Sequence, residues 1–468
     1  MSDSDLDAPE AASAAPHDEE NRLSSGFVRE VVERVEAGDH EGARALVEPL
    51  HPADIADLFE LVESEDRRPL AAAIADLVDG DVLSEMNDWV REELIEALEP
   101  VAVAEMAREL ETDDAVAIIE DLEEPEQRAV LSALGPDDRA AIEQALSYPE
   151  ESAGRVMQRD LVAVPEHWTV GQVIDFLRAT EELPTDFWEI FVVDPAHRPI
   201  GKAKLSWVLR TPRSIRMADV MQREQTIIPI DMDQEEVALR FQKYGLISAA
   251  VVDPSGRLAG MITADDIVHI VQQEAGEDVL LLSGAGEGDI YEPVGDAYRA
   301  RVRWLIANLG TALVASAIIA MFGAAIEKLV ALAILMPIVA SIGGNAGTQT
   351  MAVAVRALAT NELTRSNTMR TIMHEIIVAA LNGVTIAVLI GIGAGIVFAS
   401  SALGIVIAAA MLINILIAGL AGVLVPVALD RMDQDPAVAS SVFVTMITDS
   451  MGFFAFLGLA VASGLVAL

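Results

Sequence analysis

After Arg303 the chain contains five apolar stretches, roughly 304–326, 329–355, 372–399, 402–428 and 438–467, each long enough as a helix to cross about 30 Å of hydrocarbon at about 1.5 Å per residue. Inside a bilayer the backbone must satisfy its own hydrogen bonds, so residues 301–468 are predicted to be a transmembrane domain of five helices. The charge divides at nearly the same point. Residues 297–468 carry 7 acidic and 8 basic side chains, whereas residues 1–296 carry 67 acidic against 23 basic ones, a charge of −44.

A front half this acidic excludes nucleic acid as a partner and is repelled by anionic lipid, but it attracts cations. Only four of the 31 basic residues are lysine (Lys202, Lys204, Lys243 and Lys328), and with abundant Asp and Glu this resembles adaptation to high salt. A single carboxylate in this half is therefore weak grounds for a metal site. The chain has no cysteine, which excludes disulfides and thiolate metal sites. Residues 1–26 are acidic, lack an apolar core, and read as a disordered tail with no signal peptide.

From 27 to 150 the apolar residues recur at helical spacing, interrupted by short breaks such as Gly38-Asp39 and Gly135-Pro136. ADIADLFELVESEDRR from Ala53 and DDAVAIIEDLEEPEQR from Asp113 share one pattern sixty residues apart: an apolar stripe, an acidic turn and a closing arginine. A superhelical stack of helix pairs accounts for it. A clearer duplication follows. VMQRDLVAVPEHWTVGQVI from Val156 is echoed by VMQREQTIIPIDMDQEEVA from Val220, and IFVVDPAHRPIGK from Ile190 by AAVVDPSGRLAGM from Ala249. Each copy reads as helix, short strand, helix, two strands joined by an Asp-Pro turn, then helix. The unit resembles a pair of cystathionine-beta-synthase (CBS) domains, over 151–212 and 213–273. That resemblance implies an adenosine nucleotide, such as ATP, at Thr263 and Asp266 of the second copy; the first copy reads GKAKLSW there and lacks the Asp. A metal-linked or structural role for Asp266 is the reading preferred over that nucleotide site. Residues 274–300 are expected to form a connecting helix, with a flexible run from Ser283 to Asp289.

Arg299, Arg301, Arg303, Arg356, Arg365, Arg370 and Arg431 fall on one side of the five spans and Lys328 on the other. The positive-inside rule then sets the N-terminal domains in the cytoplasm and the C-terminus outside the cell membrane. The second span holds Met336-Pro-Ile-Val-Ala-Ser-Ile-Gly-Gly-Asn-Ala-Gly-Thr-Gln-Thr350, whose proline, glycines and polar side chains are expected to weaken or break the helix and free carbonyls toward a watery cavity. Close helix packing through small residues is the alternative. In the fifth span Ser441, Thr445 and Asp449 lie at i, i+4 and i+8 and make one helix face polar. An Asp at mid-bilayer costs about 2.5–3.5 kcal/mol on insertion scales, so Asp449 is a functional candidate before it is a structural one.

PIVASIGGNAGTQT, TDSMGFF, the DQDPAVAS stretch at Asp433, the EAGED stretch at Glu274 and the helical-plus-CBS front end together resemble the MgtE family of magnesium channels and transporters. The resemblance implies a homodimer in the lipid bilayer, a pore made by the second and fifth spans of each copy, and the helix after the CBS pair acting as a plug. It also implies that intracellular Mg2+, bound between the helical, CBS and plug elements, holds the pore shut. Asp449 matches the family's pore carboxylate, and Asp113, Asp266, Glu277, Asp278 and Asp435 match acidic sensor positions. Gly245, His269 and Ala117 stand where further sensor carboxylates are expected, and Ser441 stands where an asparagine is expected near the pore.

Mg2+ is small, hard and reluctant to lose water, so its path needs carboxylate and carbonyl oxygens for a partly hydrated ion. Asp449 with Gly343, Gly344, Asn345, Thr348 and Thr445 forms the expected pore set. A transporter that exchanges the cation for sodium or protons is one rival, weakened by the lack of an obvious inverted repeat or a second buried acid. A membrane-anchored nucleotide-sensing module is the other. No Ser-His-Asp set, phosphate loop or HExxH motif points to an enzyme.

Overall fold

The computed structural model describes residues 15–466 apart from 97, 121, 181–182, 185–186, 285–289, 364–366 and 433. The first part of the acidic tail, most of the expected flexible run, Arg365 and Asp433 thus lie outside the described residues. The chain divides into two units, Met1–Val271 and Gln272–Leu468.

The first unit opens with helices α1 (Ser25–Glu36) to α10 (Pro136–Leu146), each 5 to 12 residues long. Helices this short are marginal alone and rely on tertiary packing. The side chains of Phe27, Leu58, Phe59, Leu70, Ile74 and Ile119 provide it, all at most 2% exposed. The sixty-residue repeat is a pair of helix pairs: α3 (Pro52–Leu61) with α4 (Ser64–Ala73), and α8 (Thr112–Glu120) with α9 (Glu124–Ala133). Arg67 Nε donates to the Phe59 carbonyl at 3.0 Å, and sixty residues on Gln127 Nε2 donates to the Ile119 carbonyl at 3.1 Å. Each closes the C-terminal turn of the preceding helix, where carbonyls lack intrahelical donors. The closing arginines of the pattern, Arg68 and Arg128, are solvated neighbours of these contacts.

The duplicated region forms two sheets of identical design. In the first, β1 (Ala163–Pro165) runs parallel to β2 (Glu189–Val193), which pairs antiparallel with β3 (Pro199–Lys204); in the second, β4 (Ile227–Pro229), β5 (Ser248–Val252) and β6 (Leu258–Thr263) repeat that order. Helices α11 (Val170–Ala179) and α14 (Gln234–Tyr244) are the crossovers that parallel pairing demands, while α12 (Leu205–Arg210) and α13 (Met217–Val220) link the copies. Asp194 and Asp253 hold the two Asp-Pro turns, each accepting from two backbone N–H groups through Oδ1. The repeated VMQR motif also has a physical reason. A Cβ on Gly260 would lie 2.7 Å from the Gln158 carbonyl, and one on Gly201 would lie 2.7 Å from the Gln222 carbonyl, so each copy's motif runs against a glycine of the other.

Helix α15 (Ala264–Ser283) is continuous across the expected change of element at 273/274, and among the described residues 274–300 is shared between it and the next helix, which starts at Val294. Five longer helices follow: α16 (Val294–Met321), then after the short α17 (Gly323–Lys328) α18 (Ala331–Ala359), α19 (Thr368–Val397), α20 (Ser401–Asp430) and α21 (Pro436–Ala462). All five are long and apolar enough to cross a membrane. Of the apolar window, 56% is buried in α20 and 6% in α16, which makes α20 the central helix and leaves α16 on the periphery. Helices α18, α19 and α21 pack on α20, with Leu332, Val339, Ile407, Met411, Phe456 and Leu457 in the core.

The expected break in the second span is not there: α18 is helical through Gly343 to Thr350, with Pro337 inside it. Glycine weakens a helix by about 1 kcal/mol, whereas an open carbonyl in hydrocarbon costs several, so the helix persists. Small residues serve packing instead. A Cβ on Gly347 would lie 2.7 Å from Val444 Cγ1, and one on Gly404 would lie 2.5 Å from the Gly391 carbonyl oxygen. Backbone against backbone cannot yield, so Gly404→Ala should force α19 and α20 apart and destabilise the folded chain by about 1–3 kcal/mol. Gly393→Ala, where a Cβ meets nothing within 4 Å, should be neutral or slightly stabilising. Thermal unfolding of both variants in detergent distinguishes the two outcomes.

Candidate functional site

Asp449 lies at the middle of α21, half-buried, and makes no hydrogen bond or ion pair among the described residues. One turn before it Thr445 is exposed, and Thr448 is buried with its Oγ1 donating to the Thr445 carbonyl at 3.0 Å. The Thr448 methyl lies against Gly347, where a Cβ would meet it at 3.3 Å, so α18 and α21 are in close contact at this level. On α18, Asn345, Thr348 and Gln349 are exposed on one face, with Thr348 Oγ1 donating to the Gly344 carbonyl at 2.7 Å. Gly344 faces open space, but Gly343 is buried on the opposite side and packs against Asn414 of α20. The expected pore set thus divides: Asp449, Thr445, Gly344, Asn345 and Thr348 are accessible, and Gly343 is a packing residue.

Two polar side chains of this unit were not singled out from the sequence. Asn414 is fully buried in α20 and donates from Nδ2 to the Val339 carbonyl at 2.9 Å. Glu375 of α19 is 8% exposed, with Thr350 Oγ1 donating to Oε2 at 3.4 Å and His374 Nδ1 at 3.0 Å from Oε1. A second buried acid is therefore present. Both were visible: Asn414 is the lone polar residue between Ser401 and Asp430, and Glu375 sits two turns inside α19 because that helix starts at Thr368, ahead of the expected 372.

In the first unit, Asp113 on α8 and Asp266 on α15 approach each other together with Glu111 and Asp114. Burial, then the charge of Asp266, then Asp114 push the Glu111 carboxyl up to about 7. Asp114 is pushed to about 6 by burial and then Asp266, and Asp113 well above the usual range by burial and then Asp266. Asp113 Oδ1 is buried without a hydrogen-bond partner among the described residues. Glu111 accepts from Gln158 Nε2 at 2.7 Å. Among the described residues no three His, Asp or Glu side chains close around a point that could hold a metal ion. Thr263 donates from N at 3.0 Å and from Oγ1 at 2.5 Å to Asp266 Oδ2, so the hydroxyl and carboxylate expected for a nucleotide are bonded to each other at the start of α15. Ala117 and His269 are exposed, and Gly245 ends α14 in the left-handed conformation that favours glycine over a carboxylate residue.

A second acidic group lies within the second unit. Asp278 on α15 is pushed up by burial and then by the charge of Asp435. Asp435 is also the N-cap of α21, accepting from Ala437 N at 2.7 Å through one carboxylate oxygen. Glu277 precedes Asp278, half-buried. One turn on, Leu281 and Leu282 pack against a cluster of Met351 and Val355 from α18 with Ala437 and Val444 from α21.

Comparison with known proteins places this arrangement. Residues 336–459 match the MgtE divalent cation transporter model, 50–151 the MgtE intracellular N domain, and 217–273 the CBS domain. The magnesium transporter MgtE of Thermus thermophilus is 30% identical over 445 residues, covering 92% of this chain and 96% of its own. That of Bacillus subtilis is 28% identical over 425 residues, covering 90% and 93%. A solved cytosolic domain of the Mg2+ channel MgtE in complex with ATP is 29% identical and covers 52% of this chain and 99% of its own, with a TM-score of 0.48. With the family's domains present in order and a relative aligned over nearly the whole length, this chain belongs to the MgtE family of divalent cation transporters.

Proposed function

We propose that the chain is a Mg2+ channel of the cell membrane, in which the ion passes beside Asp449 between α18 and α21 of two copies. The observation that carries this reading is the Asp449 carboxylate, unpartnered among the described residues, at the middle of a membrane helix that packs on α18, with Thr445 exposed on the one helix and Asn345 and Thr348 on the other. Such polar groups are costly against lipid, and a second copy facing them across a wet path removes that cost. Two Asp449 carboxylates would repel unless an ion sat between them, so occupancy by a divalent cation stabilises the pair. The names of the relatives supply the identity of the ion as Mg2+. Arginines at the ends of α16, α18, α19 and α20, against Lys328 at the end of α17, support N-terminal domains in the cytoplasm and a C-terminus outside.

We assign Asp113 and Asp266, with Glu111 and Asp114 beside them, and Glu277, Asp278 and Asp435, to sensing of intracellular Mg2+. Raised carboxyls mark places where negative charge is held at a cost, and a cation relieves it. Leu281 and Leu282 against α18 and α21 suit a plug. An adenosine nucleotide at Thr263 and Asp266 would meet these same carboxylates and would have to enter with its cation.

Coupled transport is the second reading, favoured by one observation: Glu375 gives the membrane unit a further buried acid. Recording from the protein in planar bilayers separates the two, since a channel passes Mg2+ current that reverses at the Mg2+ equilibrium potential, and an exchanger shifts that reversal with the proton or sodium gradient.

Asp449→Ala should reduce Mg2+ flux to background in a folded, inserted protein, and Asp449→Asn should keep the fold while losing at least about tenfold in preference for divalent over monovalent ions. Normal Mg2+ flux through Asp449→Ala would place the path elsewhere.

The acidic cluster gives a pH signature. Without divalent cations Glu111 and Asp114 bind protons more tightly in the folded chain than in the unfolded one, so stability is greatest below the usual carboxylate range and falls as pH rises to about 7. Mg2+ displaces those protons, so its stabilising effect should be large at pH 8 and small at pH 5. The Mg2+ concentration for half-closure should rise by about tenfold per unit fall in pH for each proton displaced. Unfolding scans in EDTA and in Mg2+ at the two pH values check the first part, and bilayer currents check the second.

A further inference from the structure

Asn414 lies at the middle of α20, the central helix, and is the only polar side chain between Ser401 and Asp430. Its Nδ2 donates to the Val339 carbonyl of α18, which fixes the amide's orientation, because the flipped amide would set Oδ1 against that carbonyl oxygen. A Cβ on Gly343 of α18 would collide with Nδ2, and one on Gly452 of α21 would lie 2.7 Å from Nδ2 and 2.9 Å from Oδ1. One amide thus touches both helices that carry the accessible pore residues, and each approaches it as closely as glycine permits. Its Oδ1 is buried with no donor among the described residues. An aliphatic side chain would leave no unsatisfied polar atom there, so packing alone does not account for an amide.

We propose that Asn414 is a positioning residue for the ion path: a spacer, hydrogen-bonded to α18 and pressed against α21, that sets the separation of the two helices beside Asp449. Asp449 lies just under one turn before Gly452, and Gly344 and Asn345 directly follow Gly343, so a shift at the amide reaches these groups without intermediaries. Magnesium takes oxygens at about 2.0–2.1 Å and calcium at about 2.3–2.6 Å, so helix spacing altered by tenths of an ångström changes which ion fits. The inference rests on the reading that the ion passes beside Asp449, and it adds selectivity as the property Asn414 controls.

The test measures Mg2+ and Ca2+ flux into proteoliposomes for Asn414→Ala, Asn414→Leu, Gly343→Ala, the Gly343→Ala/Asn414→Ala pair and Asp449→Ala, each reconstituted at equal folded amount judged by thermal unfolding. Asn414→Ala and Asn414→Leu should lower the Mg2+ to Ca2+ flux ratio at least about threefold, whereas a merely structural role would lower both fluxes in proportion. Gly343→Ala should lose flux, and the pair should regain it because the added Cβ enters the space the amide leaves. An unchanged ratio in both Asn414 variants, or a pair no better than Gly343→Ala alone, overturns the inference. Should Asn414→Leu fail to fold, Asn414→Ala and the pair still decide it. Normal flux through Asp449→Ala sinks the ion-path reading instead, which keeps the two failures distinct.

Discussion

Hydrocarbon offers no hydrogen-bond partner, and the organisation of the membrane unit follows from that constraint. The backbone is satisfied by helices, including α18, where three glycines and an internal proline would unravel a helix in water. With the backbone closed, the few polar side chains retained in the bilayer stand out against an apolar background. Among the described residues Asp449 has no partner, Glu375 shares Thr350 and His374, and Asn414 binds a carbonyl of α18 with one amide atom and leaves the other unpaired. Each retains a group that an aliphatic residue would replace at lower cost, and each lies on a different helix around the same core.

The first unit inverts the problem. Carboxylates there are abundant and mostly solvated, so their number is uninformative and burial selects the few that matter. Asp113, Glu111, Asp114 and Asp266 stand out because the fold brings the first turn of α8 to the first turn of α15 and withdraws water from both. Helix α15 then continues to Glu277 and Asp278, so one element carries acids of both clusters and ends in the leucines that pack on α18 and α21.

Much of this was legible in the sequence, and the limits have physical causes. The five spans, the CBS duplication and the helical repeat all rest on local periodicity, which survives folding, and the repeat holds down to the matched bonds of Arg67 and Gln127. Asp449 was legible because a charge in an apolar run needs no tertiary information to be anomalous. Continuity was not: glycine and proline in α18 read as a break on scales calibrated in water, and the domain border expected inside α15 followed the extent of the CBS resemblance, which ends where the helix does not. Asn414 was visible but mute, since its meaning lies in Val339, 75 residues away, and in two glycines on different helices. Glu111 and Asp114 were hidden by composition, as nothing in an acid-rich stretch separates a buried carboxylate from a solvated one.

The number of acidic sensor positions has an energetic logic under the proposed closure by Mg2+. Shifting a two-state equilibrium from 1:99 to 99:1 takes about 5.5 kcal/mol. A single site that binds only the closed form contributes about 1.4 kcal/mol when the free ion is at ten times its Kd. About four such sites are needed, and closure is then steep in Mg2+ because their contributions act on one equilibrium. On the proposed sensor reading, Gly245, His269 and Ala117 offer no carboxylate oxygen, which leaves fewer oxygens per ion and weakens each site. The remaining acids then have to be costly when empty for the switch to work, and the half-buried carboxyls of Asp113, Asp114 and Glu111, each raised by desolvation and by neighbouring charge, meet that requirement.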